Sequence, residues 1–383
     1  IRAAMNVLMM GFDPTPFLDG SVPSDTRERL LGYAAELNRR APGSQLHIII
    51  RTSRKMGLTP RRWEERLFLY PTNSWPGTFI LDAYRMGSRL IQQKGITLVT
   101  TQSPFSDGLA GYLLKKRWGV KLLIQLHTST LDDPFWLTES PANRWRRLVG
   151  LFVLQSSDGV RVVSSHARQW LVETVGLSPD RVFVNPVSIS LPGNDHTGYH
   201  ADGYVLFVGS LKLEKDVETL LYAFAQVRNS FPGARLVIVG DGPEMSTLRH
   251  RAKELDILDS VEWRGIVPYS QLGAVYSGAS VFVLPSVHES FGRVLIEAMN
   301  YRVPVVSTDT EGGREVVQDG VTGFIVPRRD PEAMARRIAY LLSHPAEAER
   351  MGAAGREAVR FRYNAERLRR EWIDIWFRVA SDD

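Results

Sequence analysis

The sequence predicts an α/β protein built from two doubly wound domains that face each other across a cleft. The chain of 383 residues is too long for one ordinary core, since single cores stop growing near about 250–300 residues. Short apolar runs alternate with helical stretches, which is the pattern of parallel strands joined by helical crossovers. The stretch LPGNDHTGYHADG (191–203), rich in Pro, Gly and polar residues, interrupts this alternation and is the predicted linker.

The strand candidates of the first half are continuous apolar runs, which are typical of strands covered on both faces. They are NVLMM (6–10), LHIII (46–50), ITLVT (96–100), KLLIQL (121–126), GVRVVS (159–164) and VFVNPV (182–187). Helix-like stretches lie between them, for example DTRERLLGYAAELNRR (25–40) and LAGYLLKKRWG (109–119). The first domain is therefore predicted over residues 1–190.

The same alternation begins again at residue 204. The strand candidates are YVLFVG (204–209), RLVIVG (235–240), VEWRG (261–265), SVFVLP (280–285) and VPVVST (303–308). Helices are predicted near 216–229, 244–255, 269–277, 293–301 and 331–343, and an Arg-rich helical tail runs from about 346 to 379. The second domain is predicted over 204–365.

Composition excludes several classes of protein. The hydrophobic fraction of 44% is that of a globular chain, and no apolar run approaches the roughly 20 residues that span a bilayer. The start reads as a buried strand rather than a cleavable signal. The absence of cysteine excludes disulfides, thiolate zinc sites and a cysteine nucleophile. Cytoplasmic residence is compatible with all of this.

The charge is uneven along the chain. Residues 1–196 carry 24 Lys and Arg against 16 Asp and Glu, whereas the remainder carries 23 against 26. A basic first half can meet an anionic substrate or lipid, so one hypothesis is a peripheral contact with the cytoplasmic face of an anionic membrane. Nucleic acid is disfavoured, because no basic run is interleaved with aromatic residues.

The stretch HESFGRVLIE (288–297) places two carboxylates, Glu289 and Glu297, around a Ser-Phe-Gly corner. Gly292 lies where the loop becomes a helix, and its lack of a side chain lets a ligand approach the backbone. The unpaired N–H groups and the dipole of a first helical turn favour phosphate. Carboxylates instead accept hydrogen bonds from hydroxyls. The pattern therefore favours a phosphate between two hydroxyl-rich parts, which is the layout of a sugar nucleotide.

A purely structural interpretation of this stretch stays open. Ser290 could cap the helix, and Arg293 could form an i,i+4 ion pair with Glu297. A hydrolase acid and base is disfavoured, because both carboxylates come from one side of the cleft.

Two more loops follow strands of the second half. In FVGSLKLEKD (207–216), Gly209 ends the strand, and Lys215 and Lys212 are candidates to meet a diphosphate; a solvated lysine is the ordinary alternative. In IVGDGPE (238–244), two glycines resemble half of a dinucleotide fingerprint. The third glycine is missing, so a tight turn is favoured over a NAD site.

In the first half, LLIQLHTST (122–130) ends a strand with a polar cluster that begins at His127. A lone histidine is more often structural, but at the mouth of a parallel strand it is a candidate to contact a reacting sugar. Gly11 and Gly20 flank the first strand-to-helix loop, which is expected to border the cleft.

Together these residues resemble the GT-B glycosyltransferases of the large retaining family called family 4, or glycosyl transferases group 1, whose two domains are Rossmann-like. The resemblance is strongest over about 204–327 and weaker over 1–190. Its most specific element is Glu-x7-Glu, here Glu289 and Glu297 within PSVHESFGRVLIEAMNYRVPVVST. FVGSLKLEKDVETLLYAF, IVGDGPEMSTL and DGVTGFIVP surround it in the family's order.

The resemblance implies a role for each matching residue. Glu289 would bond the donor sugar, Glu297 the ribose, and Lys215 the phosphates of the leaving nucleotide. His127 would lie near the donor sugar, so the implied catalytic residues are His127, Lys215 and Glu289. The remaining implied donor contacts are Gly20, Gly209, Ser210, the segment Arg264-Gly265-Ile266 along the base, and the backbone of Ser290, Phe291, Gly292, Arg293 and Val294 along the diphosphate.

The resemblance also implies that no metal is needed and that a C-terminal helix, residues 366–383 with Trp372 and Trp376, packs back on the first domain. The sequence departs from the family at four places. Ser210 stands where an Arg usually follows the glycine, and Arg302 where a Gly usually precedes the next strand. The first loop has a single Gly20 instead of a pair, and the GGREVV segment is shortened.

The interpretation is a metal-independent retaining glycosyltransferase that moves a hexose from a UDP- or GDP-linked sugar to an acceptor hydroxyl of a glycan, glycolipid or polysaccharide precursor. Two alternatives remain open. A sugar-nucleotide epimerase of the same fold would act without an acceptor, and a non-catalytic sugar-nucleotide-binding protein would fit the absence of Arg at position 210.

Overall fold

The computed structural model describes residues 2–11, 25–127, 131–186 and 200–381. The chain forms two compact units, Ile1–Ser188 together with Ala365–Asp383, and Ile189–Asn364. Most of the predicted linker, and Gly20 with it, lies outside the described residues.

The described residues of the first unit form eight strands and six helices before the chain leaves it. The strands are β1 (Asn6–Gly11), β2 (Leu46–Ile50), β3 (Arg61–Trp63), β4 (Leu67–Pro71), β5 (Ile96–Thr101), β6 (Lys121–Leu126), β7 (Gly159–Val162) and β8 (Val182–Val184). The helices are α1 (Asp25–Arg40), α2 (Phe79–Lys94), α3 (Ser106–Trp118), α4 (Pro134–Glu139), α5 (Pro141–Ser156) and α6 (Ser165–Glu173).

The first sheet has the order β3-β4-β2-β1-β5-β6-β7-β8. Its strands are parallel except β3, which pairs antiparallel with β4 at the edge. The sequence analysis missed β3 and β4. The three-residue segment RRW carries no apolar run, so β3 depends on its partner rather than on local pattern. The segment LFLYP is an apolar run as long as the predicted strand LHIII, so nothing in the local pattern accounts for the omission of β4.

In the second unit, the part of the chain that the structure describes forms six strands and seven helices. The strands are β9 (Tyr204–Val208), β10 (Leu236–Val239), β11 (Val261–Gly265), β12 (Ala279–Leu284), β13 (Val305–Thr308) and β14 (Gly323–Val326). The helices are α7 (Val217–Ser230), α8 (Met245–Glu254), α9 (Tyr269–Ser277), α10 (Arg293–Asn300), α11 (Glu311–Val316), α12 (Pro331–Ser343) and α13 (Pro345–Arg362).

The second sheet has the order β11-β10-β9-β12-β13-β14 and is parallel throughout. Strands β9, β10, β12 and β13 are buried at every position, which explains their unbroken apolar runs. The short elements β14 and α11 were missed, because four to six residues carry too little periodicity. The predicted α/β class with two doubly wound sheets is confirmed.

The helical tail is two helices rather than one. Helix α13 ends at Arg362, and α14 (Ala365–Ala380) belongs to the first unit. Trp372 and Trp376 of α14 are fully buried in the core that also contains β1, β2 and α1. Their rings meet edge to face with centroids 5.6 Å apart. The side-chain amide of Asn185, after β8, donates to the carbonyl of Leu368 at 3.1 Å and ties α14 to that end of the sheet.

Candidate functional site

The order of the second sheet creates a topological switch point at β9. The chain runs outward from β9 through β10 to β11, then returns to β12 on the other side of β9. The loops that leave the carboxyl ends of β9 and β12 therefore turn in opposite directions, and ligands of open α/β sheets bind in the crevice that this creates. The loop that follows β9 carries Lys215, and the loop that follows β12 carries Glu289.

Lys215 and Glu289 form an ion pair across this switch point. The Lys215 ammonium donates to Glu289 Oε2 at 2.6 Å, and their side chains are only 19% and 14% exposed. The two loops are also joined through the backbone, because the N–H of Val287 donates to the carbonyl of Glu214 at 2.9 Å. The cation assigned by resemblance to phosphate and the carboxylate assigned to sugar are thus direct partners.

The second oxygen of Glu289 contacts the start of α10. Glu289 Oε1 accepts a hydrogen bond from the N–H of Gly292 at 3.1 Å. Gly292 is the residue that precedes the helix, and its φ of +75° lies in the left-handed region that favours glycine. The suggestion that Ser290 caps this helix is wrong, since the residue at the cap position is Gly292. A carboxylate therefore lies against a helix start that also suits an anion.

The residues around Gly292 differ in how far their side chains are buried. Phe291 is 6% exposed and its ring packs edge to face on Tyr363, so only its backbone can border a ligand. Ser290 and Val294 are half-buried beside it. Gly312 supports the corner from α11, because its N–H donates to the carbonyl of Glu289 at 2.7 Å.

Glu297 is buried one turn into α10, with 4% of its surface exposed. It accepts a hydrogen bond from the Tyr276 hydroxyl at 2.8 Å and forms the predicted i,i+4 ion pair with Arg293 at 2.8 Å. Burial and the neighbouring Glu297 charge raise the pKa of Tyr276 well above its ordinary value, so Tyr276 stays a donor. Arg293 also donates to the Tyr269 hydroxyl at 3.2 Å. The two tyrosines of α9 were missed, since nothing in the local pattern links them to Glu297.

The IVGDGPE segment is a tight turn packed on the loop after β9. A Cβ at Gly240 would lie 1.8 Å from the carbonyl oxygen of Gly209, and one at Gly242 would lie 2.3 Å from that of Leu211. The N–H of Leu211 donates to the carbonyl of Asp241 at 3.0 Å. The two glycines are therefore needed because this turn lies directly against the backbone of the loop after β9. This geometry agrees with the prediction of a tight turn rather than a NAD fingerprint.

The segment after β11 lies at the same carboxyl edge. Gly265 has a φ of +62°, and its carbonyl accepts from the N–H of Gly240 at 2.8 Å. Ile266 is 79% exposed. Arg264 is held by Glu262 at 2.7 Å. An apolar side chain next to the glycine turns is therefore open to a ligand.

Position 210 lacks the Arg that the family resemblance leads us to expect directly after Gly209. Ser210 is exposed beside the half-buried Gly209. Lys212 is the other candidate cation of this loop, but its side chain is 53% exposed and its ammonium lies 3.9 Å from Glu214. Lys215 is consequently better placed than Lys212 to meet a diphosphate.

Position 302 shows why a glycine is usual there. Arg302 follows α10 with a φ of +61°, in the left-handed region that ordinary side chains avoid. A Cβ at Gly352 would lie 1.9 Å from the carbonyl oxygen of Arg302, so α13 lies directly against this backbone. Arg302 therefore occupies a turn whose geometry suits glycine better.

In the first unit, His127 follows β6 at the carboxyl edge of the sheet. Burial and the guanidinium groups of Arg161 and Arg29 lower the pKa of His127 to about 3. The imidazole is therefore neutral near pH 7. Gly11 ends β1, and a Cβ there would lie 2.6 Å from Gln102 Oε1. Gly20 cannot be placed, since it is outside the described residues.

Arg161 of β7 is a buried residue that the sequence analysis missed. It is 3% exposed, and it donates to the carbonyls of Asn185 at 2.8 Å and Pro186 at 3.0 Å. Its guanidinium also lies 4.5 Å from the centroid of the Trp372 ring. Arg161 therefore fixes the end of β8 and the docking of α14, and a single Arg within GVRVV carries no local signal of this.

Metal-binding clusters and membrane-spanning helices are both absent from the described residues. Within residues 2–11, 25–127, 131–186 and 200–381, no group of three His, Cys, Asp or Glu residues is arranged to hold a metal ion. In the same ranges, no helix has both the length and the apolar character needed to cross a bilayer.

Comparison with known families identifies both halves of the chain. Residues 33–191 match the model described as Glycosyltransferase Family 4, and residues 195–358 match the model described as Glycosyl transferases group 1. The first match covers most of the first unit, and the second covers the loops that carry Lys215 and Glu289.

Two relatives illustrate the similarity in sequence. The chain is 34% identical over 283 residues to D-inositol 3-phosphate glycosyltransferase of Acidothermus cellulolyticus, which covers 67% of this chain and 62% of that protein. It is 26% identical to the putative glycosyltransferase EpsD of Bacillus subtilis, covering 77% of this chain and 80% of the relative. The chain thus spans about three fifths of the inositol-phosphate relative's length.

Solved structures show the same fold. Sucrose-phosphate synthase from Thermosynechococcus elongatus matches with a TM-score of 0.80 at 21% identity, covering 98% of this chain and 99% of that chain. Anabaena HepE, solved in complex with UDP and glucose, matches with a TM-score of 0.74 at 14% identity, covering 98% and 100%. These likenesses confirm the predicted GT-B fold class.

Proposed function

The chain belongs to glycosyltransferase family 4, glycosyl transferases group 1, and on this premise we propose that it is a retaining hexosyltransferase. The donor is a UDP- or GDP-linked sugar, and the acceptor is a hydroxyl of a glycan, glycolipid or cell-surface polysaccharide precursor. The observation that carries the proposal is the Lys215–Glu289 ion pair at the switch point of the second sheet, beside the helix start at Gly292.

The donor is laid out along the carboxyl edge of the second sheet. The sugar hydroxyls bind Glu289, and the diphosphate binds the backbone of residues 290–294, where first-turn N–H groups and the helix dipole favour an anion. The ribose lies at Glu297, and the base lies beside the exposed Ile266 and the Gly265 turn. The backbone approach at Gly209 provides a second border for the diphosphate.

Lys215 bonds both Glu289, which binds the sugar, and the diphosphate of the donor. An ammonium group has three N–H donors, so Lys215 can hold Glu289 at 2.6 Å and still donate to a phosphate oxygen. A preorganised cation next to the leaving group stabilises the negative charge that develops when the sugar–phosphate bond breaks. In this proposal Lys215 and the helix start supply that stabilisation, and no metal is required.

Glu297 is prepared to accept the ribose hydroxyls. Tyr276 and Arg293 each occupy part of its accepting capacity and hold its orientation. A carboxylate has two oxygens with about four lone-pair sites, so one carboxylate can accept hydrogen bonds from several donors at once. Because Glu297 is already buried and bonded, its carboxylate loses little freedom when the nucleoside binds.

Retention of configuration follows from attack on the same face as the departing phosphate. The bond from the anomeric carbon to the phosphate oxygen breaks, the acceptor oxygen forms the new bond, and its proton passes to the leaving phosphate. The assignment of this course rests on family analogy. His127 is neutral near pH 7, so its role here is a hydrogen bond to the donor sugar rather than a positive charge.

The acceptor is proposed to bind the first unit. The name of the inositol-phosphate relative makes D-inositol 3-phosphate one acceptor to test, beside glycan and glycolipid hydroxyls. A peripheral contact with the cytoplasmic face of an anionic membrane is a separate proposal. The exposed Ser210, in place of the usual cation, is the one observation that favours a non-catalytic sugar-nucleotide binder.

The test begins with thermal shifts in a panel of UDP- and GDP-sugars. The donor that stabilises the protein is then incubated with candidate acceptors, and products are identified by mass spectrometry and their anomeric configuration by NMR. We expect transfer with retention, and Glu289→Ala to abolish it. An isomerised nucleotide sugar formed without acceptor would instead indicate an epimerase, and binding without any turnover would indicate a binding protein.

Lys215→Met and Lys212→Met form a matched pair within one loop. A charge lost about 4 Å from a phosphate corresponds to roughly 4 kcal/mol at an effective dielectric of about 20, or on the order of a 1000-fold loss of transfer. Lys212→Met removes a similar charge that is 53% exposed and should change transfer only slightly. Equal transfer by both variants would refute the role given to Lys215.

A further inference from the structure

Helix α5 of the first unit presents a contiguous apolar stripe to solvent. Trp145, Leu148 and Phe152 are 73%, 55% and 48% exposed, and Val149 is 36% exposed. Positions i, i+3, i+4 and i+7 of a helix lie on one face, so these four side chains are neighbours. Globular proteins rarely leave several large apolar side chains together without a binding role.

The inner face of α5 is already occupied. Gly150, Val153 and Leu154 are buried, and a Cβ at Gly150 would lie 3.1 Å from Leu131 and 3.3 Å from Phe105. The stripe is therefore an additional apolar face and not a part of the core. The Phe152 ring packs edge to face on Tyr112 of α3, with ring centroids 5.0 Å apart.

Positive charge flanks the stripe. Arg144 and Arg146 are exposed on its two sides, and α5 contains no Asp or Glu. One amino group of Arg146 donates to Asn143 Oδ1 at 2.9 Å, and its other N–H donors can still meet a phosphate. Lys116 of the neighbouring α3 is also exposed. Arg147 is directed elsewhere, since its Nε donates to the carbonyl of Leu131 at 2.9 Å. An apolar face with a tryptophan, bordered by arginines, is the arrangement of helices that lie in a membrane interface.

A second copy of the chain suits this face less well. A two-fold interface would place the same arginines of both copies around one patch, where like charges repel. Anionic lipid phosphates instead complement them, and the tryptophan ring suits the boundary between headgroups and acyl chains.

We propose that α5 docks on the surface of an anionic lipid bilayer. Trp145, Leu148 and Phe152 enter the headgroup and acyl boundary, while Arg144 and Arg146 contact lipid phosphates. The docking face contains none of the residues of the proposed donor site, so the two proposals can fail independently.

The experiment measures co-sedimentation of the full chain with sucrose-loaded vesicles. One set is phosphatidylcholine alone, and the other is phosphatidylcholine with phosphatidylglycerol in a two-to-one ratio. We expect binding to the anionic set, weakened by salt. Trp145→Ser with Leu148→Ser, and separately Arg144→Gln with Arg146→Gln, should each reduce the partition coefficient by roughly tenfold or more.

The matched control lies in the second unit. Phe361 of α13 is 82% exposed between Arg360 and Arg362, so Phe361→Ser with Arg360→Gln removes a similar aromatic and charge from an isolated position. This variant should bind vesicles like the unaltered chain. Quenching of tryptophan fluorescence by brominated lipid should fall when Trp145 is replaced. Unchanged circular dichroism and melting temperature identify variants that still fold.

Three results would overturn the proposal. The first is the absence of binding to anionic vesicles, and the second is equal binding by the α5 variants and the control. The third is a dimer, seen by light scattering, that the Trp145 and Leu148 changes dissociate without an effect on vesicle binding. That result would assign the face to a second copy.

Discussion

Replacing Gly312 by alanine is expected to displace the loop that holds Glu289. A Cβ at this position would lie 2.7 Å from both the backbone N and the carbonyl carbon of Phe291, and 2.9 Å from Glu289 Cγ. Ordinary contacts of this kind are about 3.5–4.0 Å, so the loop must move by the better part of an ångström. The obstacle is backbone, which cannot rotate away as a side chain would.

The magnitude follows from this overlap. Overpacking of a well-packed site costs about 1–3 kcal/mol, partly offset by the roughly 0.5–1 kcal/mol that alanine contributes inside a helix. For a unit of this size, about 1–2 kcal/mol lowers the melting temperature by roughly 2–8 °C. A displacement of about 1 Å at a substrate-positioning residue lowers the transfer rate on the order of 100-fold.

The assay compares Gly312→Ala with Gly233→Ala in the same unit. Gly233 has no heavy atom within 4 Å of its would-be Cβ and no positive φ, so its replacement should leave stability and activity unchanged. Calorimetry gives the melting temperature, and a transfer assay with the donor found in the thermal-shift panel gives the transfer rate. If Gly312→Ala matches Gly233→Ala in both, the support that we assign to Gly312 is refuted.

Three further predictions concern buried or strained groups. Tyr276→Phe removes the 2.8 Å hydrogen bond to Glu297, so it should lower the free energy of unfolding in denaturant by about 1.5–3 kcal/mol and weaken nucleoside binding. Tyr363→Phe is the control and should be near neutral, because the buried Tyr363 hydroxyl has no hydrogen-bond partner among the described residues. Arg302→Gly relieves a left-handed conformation and should raise stability by about 0.5–1 kcal/mol; a lower melting temperature would contradict this. Burial raises the pKa of Asp107 to about 7, so the folded state holds a proton that the unfolded state releases near pH 4. Stability should therefore fall as pH rises from about 4 to about 7, and Asp107→Asn should remove this slope from melting curves taken across that range.

The strands that were predicted and those that were missed differ in how they are specified. Runs such as KLLIQL and YVLFV are buried at almost every position, and an unbroken apolar run reports this directly. The segment RRW becomes β3 only because β4 lies beside it. Pairing of this kind is a long-range property and leaves no local period.

The same distinction applies to the candidate site. The Arg293–Glu297 ion pair follows from helical spacing alone, and Gly292 is needed because the loop enters the helix through a positive φ. The Tyr276 contact with Glu297 could not be predicted, since the two residues belong to different helices. The roles of these residues in donor binding stay predictions until they are measured.

By itself the sequence determined the α/β class, the two rounds of strand and helix, and the glycines at the carboxyl ends of strands, because burial, helical period and φ are imposed locally. The family resemblance rested on the same local motifs. Only the tertiary structure decided that Lys215 and Glu289, which are 74 residues apart, share one ion pair. The reason is the strand order, which places β9 beside β12. The loops that follow these two strands start at the same edge of the sheet, and Lys215 and Glu289 therefore lie close together in the crevice between the loops.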